Sequence, residues 1–259
     1  MTENLASADH LQPVADIDHS RLAHAAGSPM PPARVLVFSD AKLEADLIKL
    51  NPLTALDLPL RVLTFEDDAD GSTKVVHNSF DYLVSRYQLA PEQASALRET
   101  YAGDIKTVMQ GIPDTAVMSF ENDAMQPTGI VTIKSPYAFA ETLERVNAAI
   151  DAQDDTMHFG EIDFQANAAE QGVEISSSYM ILFGGPAPGG KAMTSAPTLG
   201  LDGFCQKFLI WQDEKGRTFL SFNDLLALAE RQDASKSIAL RVINRRLNKT
   251  FSDALAAGS

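Results

Sequence analysis

The chain has a single cysteine, Cys205, among its 259 residues, so no intramolecular disulfide and no multi-cysteine metal site can form. A lone thiol fits a reducing compartment. No stretch approaches the roughly 20 apolar residues needed to cross a bilayer. From Met1 through His10 and Asp18 to Met30 there is no basic stretch leading into an apolar run, so no secretory signal is read there. These absences predict a cytoplasmic protein with no membrane partner. Basic residues are also scarce. With 21 Lys and Arg against 35 Asp and Glu, the net charge is −14. Such a surface repels phosphate backbones, which argues against nucleic acid as a partner. No zincin, nucleophile-elbow or dinucleotide signature occurs, and no cofactor or metal is expected.

What the chain does have is a repeat. Slid against itself by about 145 positions, Ile17-Asp18 falls on Ile162-Asp163, and Gly27 on Gly172. Val35 to Phe38 falls on Met180 to Phe183, and Leu56-Asp57 on Leu201-Asp202. With one extra residue Phe65 falls on Trp211. Without it, Gly71 matches Gly216 and Asn78 matches Asn223. Apolar runs bounded by Gly, Pro and Asp predict strands ending in turns. Gly71 and Gly216 each follow an acidic stretch, as hairpin-turn glycines do. Leu97, Tyr101, Ile105 and Met109 recur every four residues, as do Ile243, Leu247, Phe251 and Leu255. Each set predicts an amphipathic helix closing its unit, the first after Pro91.

The copies differ at the front. The second opens with an expected strand, 129–133, and helix, 136–150, for which the first has no counterpart. The run 116–120 is a spare strand, expected to cover an open sheet edge. The predicted division is 1–115 for the first unit and 116–259 for the second, with a junction at 113–128.

The run Tyr179 to Pro186, Ala196-Pro197, Leu199 to Asp202, Phe208 to Asp213 and Gly216 resembles the domain-of-unknown-function 302 family. The first unit carries a variant in Leu36 to Asp40, Asn51 to Leu53 and Leu56 to Leu60, with Ser39-Asp40-Ala41 in place of a Gly-x-Pro turn. The resemblance implies an α+β fold of two tandem TATA-binding-protein-like units, each an antiparallel sheet with helices packed on one face. It implies no activity and no catalytic residues.

Several groups are candidates for chemistry. Gly184, Gly185, Gly189, Gly190 and Lys191 could cradle an anion, or form a tight strand-to-helix turn. Asp18 and Asp163, and likewise Asp57 and Asp202, are equivalent carboxylates. They suit acid–base work, and suit turn capping better. His19 and His24 are five apart, which places them off a single helical face and argues against a metal pair. Cys205 reads as a buried, inert thiol. Lys236, Arg241, Arg245, Arg246 and Lys249 make the last helix basic. Residues 1–127 hold 9 basic and 19 acidic side chains, so the first unit of another copy is one acidic partner that the 236–249 face could meet.

The expectation is therefore a non-catalytic small-ligand-binding or protein-interaction module. Its ligand would be a small anion held by the Gly184–Lys191 turn, Asp163 and Asp202. The alternative is an enzyme on a small anionic or carbonyl substrate, with an aspartate as general base.

Overall fold

The apolar runs pair into two five-stranded sheets in a computed structural model that describes residues 1–67, 70–120 and 129–257. The first unit runs α1 (Thr2–Ala6), β1 (Gln12–Asp18), α2 (His19–Ala25), β2 (Ala33–Ser39), α3 (Ala41–Leu50), β3 (Leu60–Glu66), β4 (Thr73–Val76), α4 (Phe80–Tyr87), α5 (Pro91–Val108) and β5 (Val117–Met118). The second runs β6 (Ile130–Lys134), α6 (Phe139–Asp151), β7 (Met157–Asp163), α7 (Phe164–Glu170), β8 (Ser178–Gly184), α8 (Pro186–Met193), β9 (Gln206–Gln212), β10 (Thr218–Asn223), α9 (Leu225–Arg231) and α10 (Ile238–Ala254). The sheet orders are β1-β2-β3-β4-β5 and β6-β10-β9-β8-β7. The two are one arrangement used twice, as the repeat predicts.

The central strands β2 and β8 are buried at almost every position and read as near-continuous apolar runs. One face of the second sheet, with Ile181, Phe183, Phe208, Ile210, Leu220 and Phe222, packs with Val146, Ile150, Leu247 and Phe251 of α6 and α10. Its other face, with Met180, Leu182 and Leu209, shares a core with the first unit. Between the units α2 lies on α8, and α3 on α7. At the repeat offset these two contacts exchange, so a pseudo-two-fold axis relates the halves. The hairpin glycines take the left-handed conformation their turns require, Gly71 at φ +69° and Gly216 at φ +70°.

The front of the units differs in a specific way. Strand β6 runs antiparallel to β10, pairing Ile130 with Asn223 through to Lys134 with Phe219. The corresponding edge of the first sheet is taken by β5, which pairs Val117 with Val75 and Met118 with Val76, in parallel. The spare strand thus covers the first sheet's edge. It follows α5 instead of preceding β1, so it enters from the opposite end. The first sheet is antiparallel except at this last pair. Helix α1 falls, at the 145-residue offset, on only the last five residues of α6. The helix expected at 136–150 begins at Phe139, because the Ser135 hydroxyl accepts the Tyr137 N–H and holds the preceding residues in a turn. The expected junction at 113–128 falls in part on residues 121–128, which lie outside the described residues.

Candidate functional site

The repeat brings its paired polar residues to one place. Asp57 ends the 3-10 turn Pro52–Asp57, and Asp202 follows the equivalent turn Pro197–Gly200. Arg86 and Arg231 lie on α4 and α9, Arg61 and Lys207 on β3 and β9, Asn78 two residues past β4 and Asn223 at the end of β10. All eight are buried between the two units. Burying charge is costly unless it is paired and hydrogen-bonded, and here the pairing crosses the pseudo-axis.

Arg86 donates to Asp57 at 2.8 Å and to Asn223 Oδ1 of the other unit at 2.6 Å. Reciprocally, Arg231 donates to Asn78 Oδ1 at 2.8 Å and lies 3.9 Å from Asp202. Asn78 donates to Asp202 at 3.0 Å. Lys207 bridges both carboxylates, 3.0 Å from Asp202 and 3.7 Å from Asp57. Arg61 donates to Asp202 at 3.4 Å. Tyr87 donates to Asp57 at 2.6 Å, and the Arg231 guanidinium stacks 3.5 Å over the Tyr82 ring.

The electrostatics follow from this geometry. Burial alone would push the Asp202 carboxyl up. Lys207, Arg61 and Arg231 outweigh burial and hold it well below the usual carboxylate range. Asp57 is held down in the same way by Arg86 and Lys207 against its burial. Lys207 is pushed down to about 8, by burial first and then by Arg61. Both carboxylates are therefore fixed anions, and their side chains have no exposed surface. A void of about 10 Å³ beside Asp202, Gln206, Lys207 and Asn223 has room for about one water. An anion without access to solvent or substrate cannot take up a proton as a general base. What this cluster can do is fasten the two units in one register.

The capping expected for Asp57 and Asp202 is thus replaced by side-chain ion pairing. Asp18 and Asp163 do cap, accepting the N–H of Arg21 and Ala166 at 2.9 Å each at the starts of α2 and α7. Asp163 is exposed and is not brought to Asp202. Nor is the glycine-rich segment. Gly184 and Gly185 meet Phe159 and Pro188, and Gly189 meets Phe204. At Gly190 an added Cβ would stand 2.4 Å from the Ala23 Cβ and 2.8 Å from the Ser28 carbonyl, because α8 crosses α2 closely there. The adjoining void is again about 10 Å³, and Lys191 points to solvent.

The histidines are dispersed. Buried His19 bonds the Gly200 carbonyl, His10 meets Asp104, and His158 meets Asp151. Among the described residues no group of three His, Cys, Asp or Glu side chains could hold a metal ion. Cys205 is buried, and burial pushes its thiol up to about 11.

Among the described residues a larger apolar opening lies elsewhere. A groove of about 690 Å³ is lined by Phe80, Tyr101, Ile105, Met109 and Val117, together with Arg98, Lys106, His77 and Asp114. Its origin is the truncated edge pairing. In the second unit Val131 of β6 stands opposite Phe222. The equivalent place beside His77 has no strand residue among those described, because β5 pairs only with Val75 and Val76. Sequence reasoning missed Arg61, Arg86, Arg231 and Lys207. The signal was present in the repeat, where Arg86 falls on Arg231 and, with the one-residue shift, Arg61 on Lys207.

Three comparisons place the chain among known proteins. Over 118 residues it is 33% identical to the fluoride-specific ion channel FluC 1 of Brucella suis biovar 1 (strain 1330), covering 45% of this chain and 46% of the relative. It is equally similar to FluC 2 of Brucella melitensis biotype 1, covering 43% of that protein. The chain thus spans under half the length of these curated relatives, and no helix among its described residues is long and apolar enough to cross a membrane. The solved structure of an uncharacterized conserved protein DUF302 from Bacillus stearothermophilus is similar at a TM-score of 0.42 and 15% identity, over 49% of this chain and 96% of that one. The model of one family matches residues 1–108 and 131–254, one segment per unit, and the chain belongs to that family, domain of unknown function DUF302.

Proposed function

We propose that this chain is a non-catalytic binding module, whose first unit takes a small ligand with an apolar body and an anionic end. The observation that carries this reading is the α5 groove. Its volume, about 690 Å³, falls in the range of small-molecule sites, and its walls are mainly apolar, with Lys106, His77, Asp114 and the Asp81-paired Arg98 as the ionisable groups. Phe80, Tyr101 and Ile105 would hold the ligand's body, and Lys106 and His77 stand where an anionic end would emerge. A second role, docking of a protein partner or another copy, falls to the 236–249 segment, where Arg241 and Arg245 of α10 are exposed while Lys236, Arg246 and Lys249 pair with Glu230, Asp155 and Asp253. The enzymatic alternative has weaker support: Asp202 is sealed and held ionised, Asp163 caps a helix, and the glycine-rich segment is packed against α2.

The test uses native mass spectrometry of the purified protein, followed by calorimetric titration with decanoate as probe. Expected is an adduct that is lost on denaturation, or decanoate binding that weakens about tenfold or more in Ala102→Trp, where an exposed groove residue is enlarged to fill the space. Lys106→Glu should weaken the same binding. Neither adduct nor titration heat, or binding indifferent to Ala102→Trp, refutes this site.

A further inference from the structure

His77 puts a titratable ring where the sister unit has an apolar one. At the 145-residue offset it falls on Phe222, which is buried and stands opposite Val131. His77 itself is half-buried and lines the α5 groove. Its Nδ1 lies 2.8 Å from the Asn78 carbonyl. A carbonyl only accepts, so Nδ1 carries the proton of the neutral ring. Nε2 is then the nitrogen left for a ligand, and among the described residues it has no partner. In the neutral ring Nε2 accepts a hydrogen bond. Only the imidazolium donates one there.

A second polar group of the groove wall is limited in the same way. The hydroxyl of buried Tyr101 donates to the same Asn78 carbonyl, at 2.9 Å. These two donors take up both lone pairs of that oxygen. Asn78 is itself fastened between the units, since its side chain donates to Asp202 and accepts from Arg231. The Tyr101 hydroxyl therefore keeps its proton on Asn78 and has only acceptor capacity left. Of the charged groups on the lining, Arg98 is paired with Asp81 at 2.6 Å, and Lys106 and Asp114 are exposed. A carboxylate set against Tyr101 and a neutral His77 would meet acceptors with its own acceptor oxygens. A hydroxyl would meet them with a donor.

We infer that His77 sets the head group this groove accepts: a carboxylate when the ring is protonated, a hydroxyl when it is neutral. The inference rests on the small-ligand reading of the groove, and adds the residue that chooses the ligand's charge. Histidine is the side chain that ordinarily changes charge between about pH 5 and 8, so pH makes the choice. Other groups titrate nearby without lining the groove. Asp104 and Glu44, where α5 packs on α3, are raised by burial to about 6 and about 8, and Lys207, beyond Asn78 and Asp202, is pushed down by burial to about 8.

Calorimetric titration of the full chain with decanoate and with 1-decanol, at pH 6 and pH 8.5, tests it. Decanoate affinity should fall about tenfold or more between the two, because a charge-assisted hydrogen bond is lost. Affinity for 1-decanol should change less than about threefold, since the ring bonds a hydroxyl in either state. In His77→Gln, whose amide does not titrate, decanoate affinity should no longer depend on pH. A reading that needs no variant is the nitrogen NMR spectrum of the labelled parent at pH 8.5, which should place the His77 proton on Nδ1. No binding of either probe overturns the inference together with the groove reading. Decanoate binding equal at the two pH values, or a fall with pH that 1-decanol shares or that survives in His77→Gln, overturns the role of His77 and leaves the groove. A neutral ring protonated on Nε2 does the same.

Discussion

Replacing Asp202 by Asn preserves shape and removes one charge from the centre of the buried cluster. The carboxylate lies 3.0 Å from Lys207, 3.4 Å from Arg61 and 3.9 Å from Arg231, with no exposed surface on its own side chain. Removing one partner of a buried ion pair costs about 3–5 kcal/mol, since the other charge stays buried and uncompensated. Here three cations lose a shared anion, so Asp202→Asn should cost about 4 kcal/mol, a large part of the 5–15 kcal/mol typical of a folded domain. Lys207→Met should behave differently. Burial and Arg61 push Lys207 down to about 8 from 10.5, which means the site holds its charge unwillingly. Met fills a similar volume, and Asp57 and Asp202 keep their arginines. The cost should stay below about 1.5 kcal/mol. The sign with pH is fixed too. Between pH 8 and 10.5 the unfolded chain binds more protons at this lysine than the folded chain, so its contribution makes stability rise with pH across that window. In Lys207→Met that rise should be absent. Urea unfolding of both variants and the parent, at pH 7 and pH 9.5, measures all of this. A cost below about 1 kcal/mol for Asp202→Asn, or a larger cost for Lys207→Met than for Asp202→Asn, refutes the account of the cluster.

Two further substitutions test neighbouring conclusions. Glu44 is wholly buried against Ser39, and burial pushes its carboxyl up to about 8 from 4.5, so the folded chain keeps a proton that the unfolded chain has lost between those values. Stability from this group falls as pH rises from 4.5 to 8, and Glu44→Gln should be the more stable protein at pH 8 by a few kcal/mol and equal to the parent near pH 4, measured by urea unfolding. Gly190→Ala should cost about 1–3 kcal/mol in thermal unfolding, because the new Cβ meets Ala23 and Ser28 at distances that force α8 and α2 apart; a neutral outcome would mean the glycine serves something other than this packing.

The fold was legible because its signals are local. Val35 to Phe38 and Met180 to Phe183 are apolar runs between turn residues, and the turn glycines at 71 and 216 need a backbone few other residues adopt. Asp18 and Asp163 were legible as caps for the same reason, since their partners are three residues away. The charged cluster was not. Asp57 and Asp202 look like turn aspartates until Arg86, 29 residues on, and Lys207, five residues on, fold over them. Arginines on a helix ordinarily read as solvated, and only contact between the two units takes Arg86 and Arg231 out of water. The glycine-rich run was ambiguous in principle. A phosphate cradle and a close helix crossing both require that a Cβ be missing, and the sequence records only that it is missing.

The cluster also explains why the two units act as one body. Arg86 is satisfied by Asp57 of its own unit and Asn223 of the other, and Arg231 uses Asn78 across the same axis. Separating the units would strand a buried guanidinium and a buried amide on each side, at the cost that unsatisfied buried polar groups carry. Neither unit can therefore diverge freely at these positions. At the sheet edge no such reciprocity holds, and there the first unit has departed from the second. Its edge strand β5 is two residues in parallel, where β6 has five residues antiparallel. The apolar groove beside His77 used in the functional reading arises from that departure. In the second unit Val131 stands opposite Phe222, at the place this groove leaves open beside His77, so that unit shows which part of the sheet edge the groove exposes.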